Sequence, residues 1–309
     1  MMEKTAKVFV AGHRGLVGSA ISRQLRSNGY ERLLERTHAE LDLTCQQAVD
    51  AFFQMERPEY VFLAAAKVGG ILANNSYPAD FIYQNLMMET NVIQAAHRSG
   101  VKKLLFLGSS CIYPRLCPQP IREEYLMTGP LEPTNEPYAM AKLAGISLCN
   151  AYRRQYGCNF ISVMPANLYG PGDNFDLDNS HVLPALLRKF HEAKVKNHDS
   201  VTIWGSGAPR REFLFVDDLA EACVFLMQQY NEAGIVNIGT GQDQTIAELA
   251  AMVADALRYK GELVYDRTKP DGTPQKLLDV CKISALGWQA KTDLRQGLAK
   301  TYAWFVDNY

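Results

Sequence analysis

The chain has 309 residues, 47% of them hydrophobic, enough to bury a full core and form between one and two domains. A net charge of −1 gives no electrostatic footing for nucleic acid or an anionic membrane surface, and no window approaches the roughly 18 apolar residues of a membrane span. Seven cysteines, an odd number without CxxC spacing or a His-rich neighbourhood, fit reduced thiols in the cytoplasm and neither a disulfide frame nor a metal site.

The amino-terminal apolar run, within MMEKTAKVFVAG, is too short for a signal peptide. Lys7 to Ala11 instead reads as a strand running into Gly12-His13-Arg14-Gly15-Leu16-Val17-Gly18. Leu16, Ala20, Ile21 and Leu25 then recur at helical spacing, with a stop at Gly29. Strand, glycine turn and helix form the setting in which backbone approaches a pyrophosphate held at the helix amino end. A dinucleotide is therefore expected here.

Glu31 to Glu35 reads as a second strand. An NAD-preferring protein usually carries an acid after it, for the ribose 2′-hydroxyl. This chain has Arg36, Thr37 and His38 there, with Arg14 in the glycine loop. Two guanidiniums favour a 2′-phosphate, so NADP is the expected cofactor, unless Arg36 is only a solvated surface charge.

Tyr60 to Ala66 reads as a third buried strand, followed by small residues that permit close backbone approach. A long helix from Pro78 to His97 and a fourth strand from Val101 to Gly108 come next. The stretch LLFLGSSCIYP, Leu104 to Pro114, then delivers Ser109, Ser110 and Cys111 beyond a strand's carboxyl end. Open α/β sheets bind ligands at that edge. A hydroxyl and a thiol there either cap a turn or carry chemistry.

Pro114 to Pro137 holds six prolines and reads as a long ordered loop. Beyond it Tyr138 and Lys142 share one face of a starting helix. A phenol has a pKa near ~10, so its anion needs about three units of stabilisation, roughly 4 kcal/mol, to serve at neutral pH. An adjacent ammonium supplies that, and Lys142 also suits the nicotinamide ribose. Ser109 can donate to the same carbonyl oxygen that Tyr138 protonates.

Phe160 to Pro165 is a fifth strand, leading into Ala166-Asn167-Leu168-Tyr169-Gly170, and a change of domain is expected near 167. His181 lies at the mouth of a helix and by itself reads as structural. Trp204 with Arg210 and Arg211 offers an aromatic plane and guanidiniums for a base and a diphosphate, or else a structural turn. Asp217 and Asp218 read as acids at a helix amino end, and Val236 to Ile238 as a return to the sheet. A helix from Ile246 to Leu257, a short strand near Leu263, a turn from Lys269 to Pro274 and a helix ending at Tyr309 complete the chain. The expected fold is a doubly wound parallel α/β sheet of Rossmann type with a smaller carboxyl-terminal substrate lobe. Residues 1–167 plus about 214–240 form the first unit, and about 168–213 plus 241–309 the second.

GxxGxxG, Ser109, Tyr138xxxLys142 and a carboxyl-terminal lobe resemble the extended short-chain dehydrogenase/reductases that act on nucleotide sugars. GHRGLVGSAI, LAAAKVGGI, PADFIYQN, LGSSCIYP, EPTNEPYAMAK, NLYGP, NSHVLPALLRKFHEA, WGSG and KPDGTP narrow the resemblance, over nearly the whole chain, to the GDP-L-fucose synthase family. The resemblance implies an NADPH-dependent C3/C5 epimerase and C4 reductase acting on GDP-4-keto-6-deoxymannose, homodimeric through helices such as 79–98 and 139–157. It implies that Ser109, Tyr138 and Lys142 form the reductase set, with Cys111 as epimerase base and His181 as acid. It implies cofactor contacts from Gly12, His13, Arg14, Gly15, Leu16, Val17 and Gly18, from Leu107, Gly108, Ser109 and Ser110, from Lys142, from Pro165, Ala166, Asn167 and Leu168, and from His181. Lys189, Trp204, Arg211, Asp271 and Lys276 match positions lining the GDP-sugar. One departure is that a basic position of the family's 2′-phosphate clamp falls at His38, leaving Arg14 and Arg36 to that task.

Two alternatives stay open. A nucleotide-sugar 4-epimerase with bound NAD would be expected to carry a small residue at Cys111, and a non-catalytic NADP-binding sensor would be expected to lack the Tyr138–Lys142 pair.

Overall fold

The apolar runs of this chain are short and unbroken, as strands covered on both faces require. The computed structural model describes residues 2–177, 179–269 and 271–309; Met1, Asp178 and Pro270, the last within the expected Lys269–Pro274 turn, lie outside the described residues. The first half builds β1 (Val8–Ala11), α1 (Leu16–Ser27), β2 (Leu33–Leu34), α2 (Gln46–Glu56), β3 (Tyr60–Leu63), α3 (Ile71–Ser76), α4 (Pro78–Arg98), β4 (Lys103–Leu107), α5 (Glu136–Tyr156) and β5 (Phe160–Pro165). The second builds β6 (Asn167–Tyr169), α6 (Val182–Val195), β7 (Ser200–Trp204), β8 (Arg210–Phe215), α7 (Val216–Gln229), β9 (Ile235–Ile238), β10 (Asp243–Thr245), α8 (Ile246–Leu257), β11 (Glu262–Asp266), β12 (Gln275–Lys276), α9 (Cys281–Ala285) and α10 (Leu294–Asn308).

Six strands pair in parallel in the order β2-β1-β3-β4-β5-β9. Strand order reverses between β1 and β3, so right-handed crossovers place α1 and α4 on opposite faces. α7 packs beside α1, while α2 and α5 pack beside α4. The crevice outside the carboxyl ends at that reversal is where such sheets take ligands. The doubly wound parallel sheet expected from the sequence is what the chain forms.

Two apolar cores result. Val10, Phe62, Phe106, Val163 and Val236 centre the first, on the parallel sheet. Phe175, Leu187, Phe190, Leu249, Val253 and Phe305 centre the second, among α6, α8 and α10. β8 serves both through strand alternation, with Leu214 in the first core and Phe213 and Phe215 in the second. After β12, Leu278, Ile283 and Trp288 return to the first core.

Several details differ from the pattern reading. β2 is only two residues, an edge strand flanked by Glu31, Arg32 and Glu35. α3 has no apolar periodicity to announce it; Asn74 Nδ2 holds it by donating to the carbonyls of Gly69 (2.8 Å) and Gly70 (3.0 Å). Asp218 does more than face the amino end of α7. It is buried and accepts from the amides of Lys291 (3.0 Å) and Thr292 (2.8 Å) and from the Thr292 hydroxyl (2.9 Å).

The proline-rich loop is ordered by one side chain of the sheet. Tyr113 donates to Asn237 Oδ1 (2.6 Å), Asn237 Nδ2 donates to the Ile121 carbonyl (2.9 Å), and Glu123 accepts from the Asn237 amide (3.0 Å). Lys103 supports the opposite end of the sheet. Its buried ammonium donates to the carbonyls of Leu226 (2.9 Å), Met227 (2.9 Å) and Tyr230 (2.5 Å), closing the carboxyl end of α7. Lys103→Met strands those acceptors and is expected to cost about 1–3 kcal/mol, read as a lower urea midpoint at constant m-value. An unmoved midpoint would show that the cap contributes nothing.

Candidate active site

The glycine turn is shaped by crowding. At Gly12, φ is 85° and a Cβ would lie 2.8 Å from the Ala65 backbone, while a Cβ on Gly18 would overlap the Gly12 carbonyl. Gly15 instead faces outward, its nearest neighbour 3.5 Å away. It is the N-cap of α1, whose first turn holds no acid and receives no side-chain cap among the described residues. His13 Nδ1 is buried there without a hydrogen-bond partner among the described residues, and Arg14 is exposed. Free amides, an orphaned ring nitrogen and a guanidinium fit a dinucleotide phosphate.

The two arginines expected at the 2′-phosphate differ. Arg36 reaches Glu56 at 2.7 Å, donates to the Glu35 carbonyl at 2.9 Å and lies over the Phe52 ring. His38 is exposed, 3.7 Å from Asp42. Thr37 holds the Glu40 carboxyl below its ordinary range, with the charges of Arg36 and Arg14 adding to the effect, so both guanidiniums act on one spot.

At the carboxyl end of β4, Leu107 is buried and the Gly108 amide donates to the Val163 carbonyl at 2.8 Å. A Cβ on Gly108 would press on Met164 Sδ at 2.6 Å and on the Val163 carbonyl at 3.0 Å, so a larger residue would have to push β5 and its methionine aside. The chain then turns through a short 3-10 helix, Ser110–Ile112, capped by Ser109. Ser109 Oγ accepts from the Cys111 amide (3.3 Å) and lies 2.8 Å from Cys111 Sγ. The turn-capping expectation for this stretch holds, and the cap brings a hydroxyl and a thiol together.

Tyr138 begins α5, and its ring packs with Ala73, Phe81 and Cys111. Burial pushes its phenol well above the ordinary range, with the charges of Cys111 and Glu89 adding and the Ser109 hydroxyl opposing. Lys142 lies one turn on, buried, its Nζ 4.7 Å from the Phe106 ring and 6.0 Å from the Tyr138 ring. Pro165 ends the adjacent β5 and Ala166 follows it, Asn167 Nδ2 donates to the Glu212 carbonyl at 2.9 Å, and Leu168 pairs with Leu214 in β8.

His181 is the N-cap of α6, and the segment before it docks on the loop after β3, the Gly70 amide donating to the Asn179 carbonyl at 3.0 Å. Water reaches the His181 ring, yet dense walls lower its pKa from the ordinary value, with the Lys276 charge adding. Burial also lowers the pKa of Lys276, while the nearby Cys111 opposes and Arg211 adds. Lys276 thus stands electrostatically between the thiol and the imidazole.

Strand register explains the cation pair, because Lys276 of β12 sits directly opposite Arg211 of β8. Trp204, 55% exposed at the end of β7, carries Lys189 Nζ 4.9 Å and Lys269 Nζ 5.3 Å from its ring. Asp271 closes the neighbouring loop, accepting from the Ser206 amide (2.6 Å) and hydroxyl (2.7 Å). Arg210 turns away to Asp243 at 2.8 Å.

Two acids here went unread in the sequence. Glu132 reaches Arg115 at 3.2 Å and bears on both Arg211 and Lys276. Glu89 lies 2.9 Å from Lys142. Glu132 sits in a stretch without periodicity, and Glu89 is an acid in a helix like any other until its neighbours are known.

Residues 8–239 match the NAD dependent epimerase/dehydratase family. GDP-L-fucose synthase 1 of Arabidopsis thaliana is 61% identical, covering 100% of this chain and 95% of that protein. GDP-L-fucose synthase of Escherichia coli is 58% identical, covering 98% and 97%. A solved GDP-mannoheptose C4 reductase of Campylobacter jejuni with NADP bound is 42% identical at a TM-score of 0.93, covering 99% of this chain and 100% of that one. The chain belongs to the GDP-L-fucose synthase family of NAD dependent epimerases/dehydratases.

Proposed function

We propose that this chain converts GDP-4-keto-6-deoxy-D-mannose to GDP-L-fucose at the expense of NADPH, by epimerisation at C3 and C5 followed by reduction at C4. Full-length similarity to GDP-L-fucose synthases supports the substrate, and the NADP in a solved relative supports the cofactor. The observation that carries the reading is the thiol of Cys111 packed on Tyr138 with Ser109 Oγ 2.8 Å away. An epimerase base and a ketone-binding pair thereby share one wall.

When bound, NADPH supplies a hydride to C4. Arg14 and the free amides of α1 hold its phosphates, Lys142 its nicotinamide ribose. Ser109 and Tyr138 donate hydrogen bonds to the C4 oxygen of the sugar, which acidifies C3 and C5 and stabilises the enolate formed there. At each centre the Cys111 thiolate removes the proton and His181 delivers one to the opposite ring face, solvent taking the thiol proton and reprotonating the imidazole between the two centres. Tyr138 finally gives its proton to the C4 oxygen. Arg211 and Lys276 take the diphosphate, Trp204 offers its ring to the base, and Lys189 and Asp271 flank it.

His181 must be protonated to act as the acid, and burial and Lys276 oppose that in the free chain. A diphosphate on Lys276 and Arg211 cancels the opposing charge. The His181 titration midpoint is therefore expected below ~6.5 in the free protein and higher with GDP bound, read from its imidazole NMR shifts. An unmoved midpoint would separate His181 from the phosphate site.

No described helix is long and apolar enough to cross a membrane. Reduced thiols suit a cytoplasmic enzyme. A homodimer through α4 and α5 suits their exposed Tyr83, Met140 and Tyr156. Residues 1–167 with 214–240 serve the dinucleotide and the remainder the GDP-sugar. The test is incubation with NADPH and GDP-4-keto-6-deoxymannose followed by product analysis. GDP-L-fucose with equimolar NADPH oxidation is expected; a C4-reduced sugar with C3 and C5 unaltered would overturn the reading.

A further inference from the structure

Three polar side chains beside the reacting groups have an atom shielded from water with no hydrogen-bond partner among the described residues. They are Asn74 and Asn135, each at Oδ1, and Ser180 at Oγ. Asn74 as a whole is 6% exposed. Buried polar atoms are nearly always paired, so three orphans in one neighbourhood call for a ligand to pair them.

The three sit on segments that α3 draws together. Asn74 follows Ala73, which packs with Tyr138 and Cys111, and its Nδ2 is already committed to the carbonyls of Gly69 and Gly70. α3 packs on the short 3-10 turn Pro133–Asn135, three residues ahead of Tyr138. On the other side the Gly70 amide donates to the Asn179 carbonyl at 3.0 Å, and a Cβ on Gly70 would fall 3.0 Å from the Ser180 carbonyl, one residue before His181. Each orphan thus neighbours a group of the chemistry.

Capping does not account for Asn135. An asparagine at the N-cap of a helix ordinarily accepts from the amide at N2 or N3. Here N2 of α5 is Pro137, which has no N–H, and the Asn135 side chain makes no cap bond.

We propose that Asn135, with Asn74 and Ser180, binds the C3 hydroxyl of the keto-sugar by accepting its proton. Ser109 and Tyr138 fix the C4 oxygen, and of the two carbons beside C4 only C3 bears a hydroxyl; C5 bears the ring oxygen and the methyl. Acceptors next to Tyr138 therefore pair with the C3 group. Inversion at C3 carries that hydroxyl across the ring plane, and acceptors on both the Tyr138 side and the His181 side hold it before and after.

The inference rests on the reaction proposed above, and its test tells the two apart. kcat/KM for NADPH oxidation is measured with the keto-sugar and with an analogue carrying hydrogen in place of the C3 hydroxyl. The wild-type chain is expected to favour the hydroxylated sugar by about tenfold or more, because the analogue leaves buried acceptors unpaired. Asn135→Ala is expected to remove most of that preference, lowering kcat/KM about tenfold for the hydroxylated sugar and about twofold or less for the analogue. Ser180→Ala is expected to narrow the preference by about threefold and serves if Asn135→Ala does not fold. A preference unchanged by either substitution, whatever the melting temperatures, would make these side chains structural and overturn the inference. A wild-type chain that turns over neither sugar would overturn the proposed reaction, and the C3 assignment with it.

Discussion

Cys111→Ser is expected to stop solvent deuterium entering C3 and C5 of the keto-sugar, by a factor of about 10² to 10⁴. A thiol ionises near ~8.5, several units below an aliphatic alcohol, so serine keeps the size of the group but not its use as a base. The side chain caps no helix and lies half-buried at the margin of the main core and of the Tyr138 cluster, and the turn that carries it is held by Ser109. The fold should therefore survive, which unchanged thermal melting would verify. Exchange at the wild-type rate would remove Cys111 from the chemistry and leave the chain as a C4 reductase.

Tyr138→Phe is expected to give the complementary phenotype. NADPH oxidation should fall by about 10² to 10⁴, because the C4 oxygen loses its proton donor, while deuterium exchange persists through Cys111 and His181. The ring keeps its packing on Ala73 and Phe81, and only the hydroxyl leaves. Exchange should slow somewhat, since Ser109 alone then stabilises the enolate oxygen. Equal loss of both activities would mean that the two half-reactions do not use separable groups. The two variants together test whether one pocket runs two half-reactions with separable groups.

Much of this molecule was legible in the chain because its signals are local. Strands of four to six apolar residues, glycines at a tight strand-to-helix turn and a Tyr and Lys one helical turn apart each depend on near neighbours. β5 and α8 fall on the expected residues, Phe160–Pro165 and Ile246–Leu257. α3 escaped notice because two amide-to-carbonyl bonds, not periodicity, hold it. The proline-rich loop was legible as an ordered loop, but what orders it was not, because that is Asn237, more than a hundred residues away.

What the sequence by itself determined was the parallel sheet, the dinucleotide turn, the candidate groups and, through whole-chain resemblance, the family. Only the tertiary structure decided which of those groups meet. It put Cys111 on Tyr138, set Lys276 opposite Arg211 and within the field of His181, engaged Arg36 with Glu56 and placed Glu89 behind Lys142. The reason is physical: backbone pattern follows from side-chain spacing along the chain, whereas the charge that a titrating group feels is set by whatever burial brings within a few ångströms of it.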